Sequence, residues 1–367
     1  MSKEIQTNSE VAVSTGTQES TTLLSRSECN IMRGFAILFI IIDNITHLFK
    51  GVFLDCEYNF LWSSVEGVLN NLSHPDSILP FNLVSFYCPY GVILFIFLSG
   101  YCLTLKYEKG NGQGTSAKDF VVNHYKKLFT MQLKGLAIFF AFLFLFNHEI
   151  VLGYGVVLQT LLAGNLINIS MPGPYWFFGM IMEMYIIYRL VIYRRSDTIA
   201  IVLSALSLLV MAFTDPEGTT LAYMRMNCFL AILPFCLGVL AARHLDNKYL
   251  SVHKGLNCLG WFILSLILLT LCKFNFYSWL FLPIFVIASA VTIVKLITRV
   301  KLFDNIFGWL GALSGVLFVV HPAVREILIS RINATGSYYP MLFIYLLITF
   351  GLSIMLKPLI LGKKSTK

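Results

Sequence analysis

The chain is a series of apolar runs, each of roughly 20 residues, separated by short polar segments that carry most of the charge. A helix rising ~1.5 Å per residue needs about that length to cross a hydrocarbon core. The runs are continuous rather than alternating, which excludes a β-barrel. Lipid offers no water to backbone polar groups, and a helix pairs them within its own segment. The pattern therefore predicts an all-α integral membrane protein with about ten transmembrane helices. They fall at 31–53, 86–105, about 119–146, 174–193, 197–213, 222–242, 255–272, 276–296, 306–322 and 338–360. The third opens with an amphipathic stretch over 119–127. Residues 54–85 form a polar stretch with the breakers His74-Pro75 and Leu79-Pro80. Residues 147–173 are apolar only in part. Gly153, Gly155, Gly164 and Pro172-Gly173-Pro174 interrupt them, and they read as a re-entrant or interfacial segment.

Composition agrees. Of 367 residues, 57% are hydrophobic and 13% charged, about half the charged share of a soluble domain, and mean hydropathy is +0.75. Residues 1–28, rich in Ser, Thr, Glu and Gln, read as a disordered cytoplasmic tail and not a signal peptide. Residues 29–361 make one transmembrane domain, and 362–367 a basic cytoplasmic tail.

The formal net charge of +8 does not indicate a nucleic-acid partner, because the basic residues lie between apolar runs without aromatic readers. They report orientation. With the N-terminus in the cytoplasm and ten crossings, most of the 27 Lys and Arg residues fall inside. Lys50, Arg225, Lys273, Arg325 and Arg331 fall outside, and Lys134 lies within a span. An eleventh crossing at 147–163 would reverse every later loop, so the bias selects ten spans with both termini cytoplasmic. The eight cysteines show no CxxC or metal-ligand spacing and read mostly as small buried hydrophobes. No metal site is expected. Cys56 and Cys88 both fall near the outer face, where a disulfide could join them.

The first span carries the most informative chemistry: Arg33, Asp43, Asn44 and His47. Ionisable groups in a span cost a few kcal/mol and mark function by default. Arg33 and His47 would stand roughly 21 Å apart along one helix, a cation near one face and an imidazole near the other. His47 can take a hydroxyl proton near neutral pH, and Arg33 can hold an anion. The plainer alternative is a snorkelling anchor and an interface residue. His124, Lys126 and Lys127 form a basic surface at the inner side, either a cradle for a nucleotide-bearing donor or ordinary anchoring. Trp176 belongs to an aromatic belt. Glu183, about two turns deeper, needs a partner, for which Lys134 is the candidate, and Tyr185 lies beside it. His321, before Pro322, reads as a helix-end residue.

Several motifs occur in a recognisable order. They are Arg33-Gly34-Phe35-Ala36-Ile37, Phe97-Leu98-Ser99-Gly100-Tyr101, Lys126-Lys127, Gly173-Pro174-Tyr175-Trp176-Phe177, and Leu310-Gly311 through His321-Pro322. Together, over about residues 29–360, they resemble the membrane-bound acyltransferase 3 family, which includes bacterial O-acetyltransferases of surface polysaccharides. The resemblance implies acyl transfer from cytoplasmic acyl-CoA, acetyl-CoA above all, to a hydroxyl of a cell-surface or lipid-linked carbohydrate. The setting would be a bacterial inner membrane, with membrane lipid around the protein and acyl-CoA as co-substrate rather than a bound cofactor.

On this reading His47, Asp43, Asn44 and Arg33 are catalytic, and Arg33, His124, Lys126 and Lys127 bind the donor. Trp176, Glu183, Tyr185, Ser99 and His321 serve the acceptor or the scaffold. The chain departs from the family pattern where the first-helix histidine is usual: Asn44 stands there, beside Asp43. Asp43 could support His47 one turn later, or the base is absent and the chain is an inactive member. The usual Arg-x-x-Arg of helix three is His124-Tyr125-Lys126-Lys127. A transporter or flippase for a lipid-linked or small polar solute is the competing reading, though no internal repeat supports it.

Overall fold

Every regular element among the described residues is helical. The computed structural model describes residues 22–53, 58–146, 148, 154–162, 171, 173–246 and 255–362. Eight helical segments are long and apolar enough to cross a membrane: Arg26–Thr46, Leu79–Lys109, Ala117–Leu145, Gly173–Ile192, Thr219–His244, Gly255–Cys272, Lys301–Thr335 and Tyr338–Leu361. Two shorter apolar helices, Asp197–Ala212 and Leu282–Ile297, complete the bundle. Each of these ten segments overlaps one of the ten apolar runs.

The helices are α1 (Arg26–Thr46), α2 (Trp62–Ser73), α3 (Leu79–Tyr87), α4 (Gly91–Thr104), α5 (Ala117–Leu145), α6 (Tyr154–Leu162), α7 (Trp176–Ile187) and α8 (Asp197–Ala212). After them come α9 (Thr219–Arg225), α10 (Cys228–His244), α11 (Gly255–Cys272), α12 (Phe276–Trp279), α13 (Leu282–Ile297), α14 (Lys301–Thr335) and α15 (Tyr338–Leu361). The end of the bundle where α1 starts is called proximal, the opposite end distal.

Two close crossings hold the core, and both use glycine. A Cβ on Gly311 of α14 would overlap the Asn30 carbonyl of α1, and one on Gly34 would overlap the Phe307 carbonyl. Likewise a Cβ on Gly100 of α4 would overlap the Phe235 carbonyl of α10, and one on Gly238 the Phe97 carbonyl. Helices in lipid gain by packing, and small residues allow backbones to touch. Around the first crossing Phe35 stacks on Phe307 with ring centroids 4.0 Å apart, and the Asn30 amide donates to the Gly308 carbonyl at 2.6 Å.

Four sequence expectations need correction. Residues 22–28 are part of the fold and not of a disordered tail. Leu24 is buried with its amide donating to the Tyr101 hydroxyl at 2.8 Å, and Ser25 and Glu28 form a capping box that starts α1. Glu28 also pairs with buried Lys295 at 2.7 Å. The first span stops at Thr46, short of residue 53.

The last two corrections concern α2–α3 and α14. The polar stretch before α4 contains α2 and α3, tied down by amides. Phe53 N–H donates to Asn82 Oδ1 at 2.9 Å, Asn82 donates to Asn71, and Asn71 donates to Asp76 at 2.9 Å. That last bond holds the exposed Asp76 carboxyl below its usual range. Finally, α14 does not end at His321-Pro322 but continues to Thr335 with Pro322 inside. Neighbouring helices support a proline in a buried span that would end a helix in water.

Of residues 147–173 the structure describes 148, 154–162, 171 and 173. The Leu161 carbonyl of α6 accepts from the Tyr125 hydroxyl near the start of α5, whereas Gly173 lies against Pro322 and Arg325 towards the distal end. Cys56 falls outside the described residues, and the Cys56–Cys88 pairing with it.

Candidate functional site

Helix α1 is apolar enough to be drawn into the bundle, and its polar residues go with it. Arg33, Asn44 and His47 fall within about 60° of one another on a helical wheel at 100° per residue. The helix is unbroken between Arg33 and Asn44, so a single rigid element sets their spacing.

At the proximal end a polar cluster forms around Arg33. Its Nη2 lies 3.8 Å from Cys102 Sγ on α4, and Cys29 of α1 lies beside Cys102. The Ser99 hydroxyl, one turn away on α4, donates to the Phe95 carbonyl at 2.8 Å and meets the Tyr185 hydroxyl of α7. The Tyr185 ring packs edge-on against His124 of α5, centroids 4.8 Å apart, and Tyr107 flanks the same imidazole. His124 Nδ1 faces the Phe120 carbonyl at 2.7 Å. Lys106 and Lys127 both lie within electrostatic reach of His124, and Lys126 and Lys127 are exposed.

The structure thus gathers Arg33 of α1 with His124 and Lys127 of α5. Ser99 and Tyr185 belong to this cluster as well. Tyr185 lies about 13 Å along the helical rise from Trp176, which carries it towards the proximal end. Both α4 and α7 finish here in a π-helical turn, Leu105–Lys109 and Tyr188–Ile192. Such turns are frequent at functional sites. A closed ion network seals the rim: Arg243 binds Glu108 through two bonds of 2.8 and 2.9 Å and Asp197 at 2.7 Å.

The distal cluster surrounds the end of α1. His47 Nδ1 lies 2.7 Å from the Asp43 carbonyl and 3.9 Å from its carboxylate Oδ2. An Nδ1–H donated to that carbonyl makes Nε2 the proton acceptor of the ring. Asp43 is buried and His47 half-buried. Asn44 Oδ1 accepts from Arg325 Nη1 of α14 at 2.9 Å. One turn back on α14, His321 is fully buried with Nδ1 3.0 Å from the Leu317 carbonyl. The reading of His321 as a helix-end residue fails because α14 runs on past it. Tyr175 donates to the Val319 carbonyl at 2.8 Å, closing the cluster from the α7 side.

Trp176 and Glu183 also lie on α7. Trp176 is buried and packs edge-on against Tyr58, centroids 5.8 Å apart. Glu183 and Lys134 do not pair. The Lys134 ammonium donates to the Leu359 and Ile360 carbonyls at the end of α15, 2.9 Å each, and so caps a helix C-terminus. Glu183 Oε2 accepts from the Cys228 amide at 3.0 Å, the first N–H of α10. A carboxylate at a helix N-terminus satisfies an otherwise orphaned donor and the helix dipole together. Glu183→Ala is therefore expected to lower stability by about 1–3 kcal/mol, read as a drop in the thermal unfolding midpoint in detergent.

An apolar groove of about 820 Å³, bordered by Leu237, Trp261, Leu264 and Ile284, touches neither cluster.

The model of the Acyl_transf_3 family, described as an acyltransferase domain, matches residues 26–357. The chain belongs to that family. No curated protein and no solved structure matches it. Membership makes it an acyltransferase in general terms and an integral membrane protein. The motif glycines of this acyltransferase now have a physical role: Gly34, Gly100 and Gly311 are the points where backbones touch. The Asn44 side chain is engaged by Arg325.

Sequence reading missed Arg325, Cys29, Cys102 and Lys106. For Arg325 a signal existed. It is one of few basic residues on the poor side of the charge bias, and it follows His321 by four positions, on the same helical face.

Proposed function

We propose that the acyltransferase moves an acyl group, acetyl above all, from acyl-CoA at the proximal end to a carbohydrate hydroxyl at the distal end. The observation that carries this reading is the single unbroken α1, with Arg33 in one polar cluster and Asp43, Asn44 and His47 in the other. Arg33, Lys106, His124 and Lys127 would hold the donor's phosphates, where a fixed guanidinium and point charges suit such anions. The extended pantetheine arm would follow α1 and bring the thioester towards His47. His47 would take the acceptor proton at Nε2 while Asp43 fixes its orientation and supports the imidazolium.

In this arrangement ten helices cross a cell membrane, both termini are cytoplasmic, and the acceptor glycan is cell-surface or lipid-linked. The test is the purified full chain in lipid vesicles with acetyl-CoA and the host's envelope glycan. Release of CoA thiol together with ester-linked acetyl on the glycan is the expected result. Solute movement without acetyl-CoA turnover would replace the reading by transport.

A further inference from the structure

In the distal cluster the buried Arg325 Nε and His321 Nε2 have no hydrogen-bond partner among the described residues. One is a donor, and the other is the acceptor of a ring whose Nδ1 is engaged by the Leu317 carbonyl. They lie four residues apart on α14, on one face. Arg325 is otherwise fixed. Nη1 is held by Asn44 and Nη2 lies 3.4 Å from Glu326, with the side chain only 13% exposed. Asn44 and His47 are three residues apart on α1, so the guanidinium sits one turn from the imidazole that serves as base. Buried polar groups are nearly always paired. An orphaned donor on a cation, oriented from two sides and next to a base, is the arrangement expected where negative charge develops only during reaction.

From this geometry we infer that Arg325 is a catalytic residue whose Nε–H receives the oxyanion of the acyl carbonyl. The inference rests on the acyl-transfer reading above. In the step, the acceptor hydroxyl gives its proton to His47 Nε2 and its oxygen bonds to the thioester carbon. The carbonyl π pair moves onto oxygen, against Arg325. Collapse restores the C=O bond and breaks the C–S bond, and the CoA thiolate leaves with the proton from His47. The products are an ester and CoA thiol, and no oxidant or other reactant is needed. Asn44, in place of an imidazole, positions the guanidinium.

The test uses the full chain in nanodiscs with acetyl-CoA and the host's envelope glycan, following CoA release. Arg325→Ala is expected to lower kcat by about 10²–10³-fold, with KM for acetyl-CoA unchanged and partial restoration by added guanidinium ion. Arg325→Lys keeps the cation and its bond to Asn44 and preserves the packing if the alanine variant does not fold. It is expected to lose at least tenfold in kcat, because one ammonium cannot hold Asn44 and present a fixed N–H to the carbonyl. Rates within threefold of wild type in either variant, or a loss confined to KM, would overturn the assignment and leave the acyl-transfer reading standing. A wild-type protein that releases no CoA would sink both.

Discussion

His47→Ala is expected to abolish acyl transfer, lowering kcat by about 10²–10⁴-fold, while the protein still inserts and stays monodisperse. The imidazole sits at the C-cap of α1, half-buried and past the last helical turn, so its loss leaves the α1 helix itself intact. It does remove the one ring whose Nδ1 is fixed by its own helix at 2.7 Å and whose carboxylate neighbour lies 3.9 Å away. Asp43→Asn is a graded control. It keeps the backbone carbonyl that sets the tautomer and removes only the charge that supports the imidazolium, so transfer should fall less than in His47→Ala. Ester-linked acetyl on the acceptor, measured by mass, reads both variants. Wild-type transfer by His47→Ala would remove the base from this helix and return attention to His321.

The second large effect is on folding. Gly311→Val is expected to destabilise the bundle by about 3 kcal/mol or more and to appear as aggregated or poorly inserted protein in size-exclusion profiles. The atom its Cβ would meet is the Asn30 carbonyl, which belongs to the backbone of α1 and cannot rotate away. Gly34→Val should act the same way from the other side, against the Phe307 carbonyl. Gly260→Ala and Gly351→Ala are the contrasting pair, because nothing lies within 4 Å of a Cβ at either position. Alanine is also the better helix former there by up to about 1 kcal/mol. Their profiles should match or improve on wild type. Equal tolerance at Gly311 and Gly260 would show that the crossing can spread.

Much of this architecture is legible in the sequence because lipid imposes one rule on every span. A run of apolar residues of the right length must close its hydrogen bonds internally, so existence and order of the helices follow from hydropathy. The extents follow less well. Pro322 looks like a terminus by the rules of soluble helices, yet α14 carries it in its interior. Glu183 and Lys134 look like partners because both are charged and intramembrane. Each instead satisfies a helix terminus, and one-dimensional reading cannot see which backbone ends will arrive beside them.

The site is half legible. Arg33, Asp43, Asn44 and His47 announce themselves as polar groups on one apolar helix. Arg325 is separated from Asn44 by 281 residues, and only the α1–α14 crossing brings them together. Cys102 and Ser99 fall in the same class: the crossing of α4 with α10 and its packing on α1 decide their neighbours.

The α1–α14 contact has one more consequence. At Gly311 the two backbones touch. About four turns further on, the long side chain of Arg325 bridges them to Asn44. The pair is thus joined at two levels, backbone to backbone beside Arg33 and through a side-chain bridge beside His47. A change of crossing angle at Gly311 would therefore be passed along both helices to the Arg325–Asn44 bridge.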